Sequence, residues 1–272
     1  MFADVLLPVD DPEAAGAALE HAVSIAATYD GTVHALSVHG PAADGADGTG
    51  AALEDVERRC DREGVPVVRA VGRGGPVEVI LRYATGVDLV VLGARSRGPL
   101  ARLLGTGLAQ QVSARATVPV FVVPAAAAGT RPPYRRVLLA TDGQAGSRRA
   151  EGCAFALAGA YGAALDALYV VDSRFGESGA LHTLLDRAAD SVRRELRARA
   201  AREGTDVTVA VREGRPAAEI LDYAATRDAD LLVVGTQGRA GIERVLMGSV
   251  AQRVLGGASV PVVTARATGD DG

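Results

Sequence analysis

The stretch VVGTQGRAGIERVLMGSVAQ, residues 233 to 252, sets Gly235, Gly238, Gly248 and Ser249 at a spacing that suits an anion. Glycines let a backbone approach a phosphate with no Cβ in the way, and a Gly-Ser pair offers N–H groups and one hydroxyl. Arg239 either adds a positive charge to the same run or stands as a solvated surface residue. The glycines can equally serve tight packing between a strand and a helix. A phosphate cradle needs a buried strand entering and a helix leaving, because that arrangement turns backbone N–H groups and a helix N-terminus on the anion.

Few other chemistries are open to this chain. All 29 basic residues are arginine, so a phosphate-binding lysine, a Schiff base and an amine base are excluded. A net charge of -4 argues against a nucleic-acid partner held by a broad basic field. Cys60 and Cys153 lack ligand spacing and read as small buried hydrophobes in a reducing compartment. His21, His34, His39 and His182 show no metal spacing, and no Ser-His-Asp, HExxH or GxSxG arrangement can be assembled. The arginines of residues 186 to 203 alternate with Asp and Glu at helical spacing, as on a solvated helix face. The N-terminus enters a strand pattern at once and no apolar run is long enough to span a bilayer, so the expectation is a cytoplasmic chain without a membrane partner.

The elements that must position the glycines come from an internal repeat. DVLLPVDD at 4 to 11 answers RVLLATDG at 136 to 143, VGRGGPVEVILRYA at 71 to 84 answers VREGRPAAEILDYA at 211 to 224, and VDLVVLGARSRG at 87 to 98 answers ADLLVVGTQGRA at 229 to 240. VPVFVV at 118 to 123 answers VPVVTA at 260 to 265. The order is the same in both copies. The second copy predicts strands at Arg136–Thr141, Ala164–Val171, Asp206–Val211, Asp230–Val234 and Val260–Thr264. Between the second and third of these, Leu181, Leu184, Leu185, Ala188, Val192 and Leu196 form a helical stripe. Short apolar strands alternating with helices imply an α/β fold in each copy, a parallel sheet with helices on both faces. The expected domains are 1–124 and 135–266, joined by a linker at 125–134 and followed by a tail at 267–272. Residues 40 to 50 read as a flexible excursion.

The glycine run now has its context. Leu231 to Val234 is the fourth strand of its copy, Gly235 to Gly241 its exit loop, and a helix follows from Val245 onward. Ligands of open parallel sheets collect where the connection direction switches, and Asp142, at the end of the first strand, faces that crevice or caps the first helix.

With G-x2-G-x9-G-(S/T) matched by Gly235, Gly238, Gly248 and Ser249, and a first strand ending in Asp142, the sequence resembles the universal stress protein family in both copies. The resemblance implies a Rossmann-like five-stranded parallel sheet of order 3-2-1-4-5 in each copy, with ATP between strands one and four. Carried over by position, Asp142 lies near ribose and adenine, Val170 meets the adenine edge through its backbone, and Gly235, Gly238, Gly248 and Ser249 hold the phosphates, with Arg239 and Val250 beside them. Mg2+ and other adenine nucleotides stay open as ligands.

The first copy departs from the pattern. Asp10, Val38 and Gly93 are kept, but Ser96 replaces the second glycine. Thr106-Gly107 falls at the Gly-Ser positions without a gap, and Gly105-Thr106 with one residue deleted. Asp11 adds negative charge where the second copy has Gly143. Nucleotide is therefore expected in the second copy, weakly or not at all in the first.

The implied function is a tandem universal stress protein, an ATP-binding regulator of the stress response. A slow ATP-hydrolysing enzyme and a nucleotide-independent scaffold are the alternatives. Members of this family usually dimerise by pairing their fifth strands, which implies an internal pseudo-dimer here, with a homodimer of whole chains left open.

Overall fold

Runs of valine and leucine bounded by Gly, Asp or Pro form central strands whose two faces are both buried. Strands of this kind pair in parallel and are covered by the helices that connect them. The computed structural model describes residues 1–9, 12–39, 49–94, 107–127, 129–172, 179–236 and 247–267. The chain divides into two units, Met1–Pro133 and Tyr134–Gly272.

The first unit runs β1 (Asp4–Pro8), α1 (Pro12–Thr28), β2 (Thr32–His39), α2 (Thr49–Glu63), β3 (Val67–Arg73), α3 (Pro76–Ala84), β4 (Leu89–Ala94), α4 (Leu108–Arg115) and β5 (Val120–Pro124). Its strands lie in the order β3-β2-β1-β4-β5, and β1 pairs in parallel with both β2 and β4. The second unit repeats this with β6 (Arg136–Ala140), α5 (Arg148–Tyr161), β7 (Ala164–Asp172), α6 (Gly179–Glu203), β8 (Val207–Gly214), α7 (Pro216–Thr226), β9 (Leu231–Gly235), α8 (Ser249–Gly257) and β10 (Val262–Ala265). Its order is β8-β7-β6-β9-β10. In each unit the chain leaves the third strand at one edge and returns on the far side of the first. The switch point therefore lies between β1 and β4, and between β6 and β9.

The registers show how close the duplication is. Asp4 sits opposite Thr32 and Arg136 opposite Ala164, so one offset of the sequence carries through strand, helix and strand. At the amino ends of these strands a hydrogen-bonded polar pair recurs with the carboxylate on the other strand. His34 Nε2 lies 2.7 Å from Asp4 Oδ1 in the first unit. In the second, Arg136 donates to Asp166 Oδ2 at 3.1 Å, and Arg227 reaches the same buried carboxylate from the end of α7. Both anchors stand at the opposite end of the sheet from the strand ends where a ligand collects.

Three sequence expectations shift. Residues 40–48 of the excursion lie outside the described residues, but α2 already begins at Thr49. On α6 the buried residues are Ala189, Val192, Leu196 and Ala200, with Ala188 only half-buried. The stripe advances by three or four residues from Ala189, which puts Ala188 one position off the face; the side chains of Leu181, Leu184 and Leu185 lie outside the described residues. The stretch 125–133 belongs to the first unit. Ala125–Ala127 form a single 3-10 turn, Ala127 is buried, and Arg131 pairs with Glu20 of α1 at 2.8 Å.

The two cysteines are buried and free. Burial pushes the Cys60 thiol up to about 11 and that of Cys153 up to about 12, so both stay protonated and behave as packing residues. The arginine-rich face of α6 is laced by exposed pairs such as Arg193 with Asp190 and Arg199 with Glu203.

Candidate nucleotide site

Ala140 of β6 stands opposite both Val234 of β9 and Leu168 of β7. Two residues further along each strand are Asp142, Thr236 and Val170. Asp142 and Thr236 lie just past the ends of β6 and β9, whereas β7 runs on to Asp172 and keeps Val170 paired with Arg212 of β8. The turn that follows Asp142 is fixed by its own side chains: Asp142 Oδ1 accepts the N–H of Gln144 at 3.0 Å and the hydroxyl of Ser147 at 2.7 Å. Asp142 thus ties down the turn that leads into α5 and stands just past the end of β6, while the N-cap of α5 is Ser147.

Gly143 is required by this turn. Its φ is +68°, and a Cβ there would lie 2.2 Å from Cγ2 of Val192 on α6. Gly235 fits by close approach: a Cβ there would meet the Gly146 carbonyl oxygen at 3.3 Å and the Ser147 hydroxyl at 3.4 Å, so the 142–147 turn packs tightly over the end of β9.

Gly248 reaches the same place from the other side. Its N–H donates to the Thr236 carbonyl at 2.8 Å, which pins the start of α8 to the end of β9. Gly248 is the N-cap residue, with extended backbone at φ −59° and ψ 146°, and no side chain caps the helix and no acid stands in its first turn. The helix starts at Ser249, later than the Val245 expected from sequence, because the extended Gly248 precedes it. Ser249 is exposed and Val250 half-buried. The first N–H groups of such a helix have no intrahelical acceptor, and the dipole favours an anion in front of them.

The structure thus brings Asp142, Gly235, Gly248, Ser249 and Val250 together, with Val170 on the neighbouring strand. Gly238 and Arg239 lie outside the described residues, as do Asp10, Ser96, Gly105 and Thr106 of the first copy. In that copy Val9 N–H donates to Leu36, as Thr141 N–H does to Leu168. Val38 follows on β2 opposite Gly72, and Gly93 stands one residue before the end of β4, opposite Val123.

Gly107 is the N-cap of α4, at φ −67° and ψ 147° and again without a side-chain cap. The cap geometry therefore aligns Gly107 with Gly248 and Leu108 with Ser249, an alternative to both pairings read from the sequence. A leucine, 39% exposed, stands where the second copy offers a hydroxyl.

Three residues of the second site are not evident from the glycine spacing. Ser147 holds Asp142, as described. Thr141 Oγ1 accepts the N–H of Gly143 at 3.0 Å and donates to Glu151 Oε1 of α5 at 2.8 Å. Burial raises the Glu151 carboxyl above its usual range, against the lowering by the Thr141 bond. The signal in the sequence is a glutamate at the border of an otherwise apolar stripe, Ala150, Cys153, Ala154, Leu157 and Ala158.

Among the described residues no cluster of His, Cys, Asp and Glu is arranged to hold a metal ion, and no helix is long and apolar enough to cross a membrane. A parallel sheet with an uncapped helix start after its fourth strand, occurring twice in one chain, defines a tandem α/β protein. The universal stress protein family model matches residues 1–124 and 133–266, and the chain belongs to that family.

A universal stress protein of Methanocaldococcus jannaschii, MJ0531, is 34% identical over 49% of this chain and 82% of its own. Mycobacterial members are longer: at 33% identity the chain covers 66% of a Mycobacterium bovis relative. Among solved structures, a putative universal stress protein of Pseudomonas aeruginosa superposes over 97% of this chain and 92% of its own, with a TM-score of 0.72 at 24% identity. A universal stress protein in complex with cAMP matches 50% of this chain and all of its own, at 28% identity and a TM-score of 0.43.

Proposed function

We propose that this chain is an ATP-binding regulatory protein of the stress response, with one nucleotide in the second copy. The observation that carries the reading is the convergence of Asp142, Gly235, Gly248 and Ser249 on a helix start that no side chain caps. In this reading the N–H groups of Ser249 and Val250 and the Ser249 hydroxyl take the phosphates, with Gly238 and Arg239 beside them. Asp142 takes the ribose hydroxyls on the oxygen that its turn leaves available. Alternation along β7 turns the peptide groups of Val170 the same way as those of Leu168, toward the side that β6 vacates after Ala140, and the adenine edge meets them there. The first copy keeps the helix start but has Leu108 in place of the hydroxyl and Asp11 in place of Gly143, so its affinity is much lower.

Turnover is slow in this reading. Asp142 spends one oxygen on two hydrogen bonds of its turn and, in this reading, the other on the ribose, while half-buried Glu151 is bonded to Thr141, so neither carboxylate serves to activate a water. Calorimetric titration with ATP, ADP and AMP, followed by a turnover assay on the same sample, tests the proposal. One ATP site per chain and turnover well below about 1 per second are expected. Two equal sites overturn the asymmetry, faster turnover makes the chain an enzyme, and no binding of any nucleotide leaves a scaffold.

A further inference from the structure

The second copy half-buries a carboxylic acid where the first manages without one. Thr141 and Glu151 correspond, at the offset fixed by the strand registers, to Val9 and Leu19. Strand and helix pack in both units, so the fold itself does not need the polar pair. Apolar residues at such positions are usually neutral or better for stability, which leaves the polar pair to be explained by what it touches.

It touches the turn that carries Asp142. Thr141 Oγ1 accepts the N–H of Gly143, so its one proton goes to Glu151 Oε1. Gly143 is thereby held from the Thr141 side, while Gln144 and Ser147 hold Asp142 from the other. Glu151 is the far end of this chain of bonds. The charged groups around it are Arg148 on its own helix and Glu195 and Arg199 on α6. Arg199, engaged with Glu203 and over the Phe155 ring, and Arg148 both lower the Glu151 carboxyl, but by less than desolvation raises it.

We propose that Glu151 is a positioning residue of the nucleotide site: through the Thr141 hydroxyl it sets the Asp142–Gly143 turn, and its protonation couples nucleotide affinity to pH. The inference rests on the nucleotide reading above. Ionised Glu151 adds a negative charge behind the turn that carries Asp142, linked to it through Thr141, on the side of an anionic ligand, whereas the neutral acid keeps the Thr141 bond without that charge. Bound nucleotide therefore favours the neutral acid, binding takes up a proton at Glu151, and affinity falls as the pH rises through its titration. By linkage the same coupling raises the acid further when nucleotide binds.

The test compares wild type, Glu151→Gln and the double variant Thr141→Val/Glu151→Leu, which installs the pair found in the first copy. ATP is titrated across pH 5 to 8 in buffers of different ionisation enthalpy, and subtraction between variants removes the nucleotide's own titration. Wild type is expected to take up more protons on binding than Glu151→Gln, whose amide keeps an acceptor for Thr141 but cannot titrate. The double variant is expected to bind about tenfold more weakly at every pH, with the Gly143 amide exchanging faster in the free protein. Glu151→Gln recovers most of that affinity.

Equal proton uptake in wild type and Glu151→Gln overturns the coupling. Wild-type affinity and unchanged Gly143 exchange in the double variant overturn the positioning role. Wild type that binds no nucleotide at all refutes the underlying site, and with it the proposal; Gly143 exchange then still reports whether the pair holds the turn.

Discussion

Gly248→Val abolishes ATP binding and leaves the chain folded, whereas Gly107→Val changes neither. The reason lies in the backbone at these caps. Gly248 has φ −59° and ψ 146°, a conformation open to every residue, so no strain demands a glycine there. What the absent Cβ provides is approach: an anion in front of α8 must come within hydrogen-bond distance of the Ser249 and Val250 N–H groups, and a branched side chain on the cap stands in that path. Losing two or more charge-assisted hydrogen bonds weakens binding by about a hundredfold or more. Gly107 occupies the same cap in the first unit, so its substitution is the matched control. Calorimetry for affinity and a thermal melt for folding check both variants. Retained binding in Gly248→Val shows that the phosphates lie elsewhere.

Acid weakens the first unit through His21. This side chain of α1 is buried and packs on Phe121 with ring centroids 5.4 Å apart. Burial pushes it down from 6.5 to about 4, with Arg131 adding to that and Glu20 and a hydrogen bond to the Thr130 backbone opposing it. The neutral ring is thus the form the folded state prefers. Above pH 6.5 neither state takes a proton and the full stability is present. As the pH falls from 6.5 toward 4, the unfolded chain binds a proton that the folded one refuses, and stability is lost over that window. The loss reaches roughly 3 kcal/mol near pH 4. Urea unfolding of wild type and His21→Leu between pH 7 and 4 measures it: the wild-type free energy drops more steeply, and the difference between the two curves is the histidine's share. Parallel curves contradict the assignment. The effect concerns the segment up to Pro133 as well, since Thr130 and Arg131 are the groups that meet α1 there.

How far the sequence reveals this site depends on whether a feature is local. The strands of the second copy stand out because apolar runs bounded by Gly and Asp are one-dimensional signals, and β6 and β9 fall within a residue or two of expectation. Asp142, Gly235 and Gly248 follow from spacing along one strand-loop-helix unit. The hydroxyl of Ser147 and the Thr141–Glu151 bond do not, because their meaning depends on a turn closing over a neighbouring strand and on a helix border facing a strand end. The first copy misleads for a related reason. Its loop from Gly93 to the cap at Gly107 is one residue longer than that from Gly235 to Gly248. Only the backbone geometry of the cap reveals that Leu108, not a threonine or glycine, takes the place of Ser249. Ala188 and Ala189 are alike in type, and only the packing of α6 decides which is buried.

The central claim is that one nucleotide sits on the start of α8, between the ends of β6 and β9. Amide chemical-shift mapping of the full chain during an ATP titration tests it most directly, because a phosphate on a helix start moves the N–H resonances it accepts from. Shifts are expected to concentrate at Gly235, Gly248, Ser249 and Val250, with smaller ones at Asp142 and Val170, while Gly107, Leu108 and Gly93 stay in place. Shifts of equal size at Gly107 and Leu108, or none at Ser249 and Val250 in a sample that binds ATP, would contradict it.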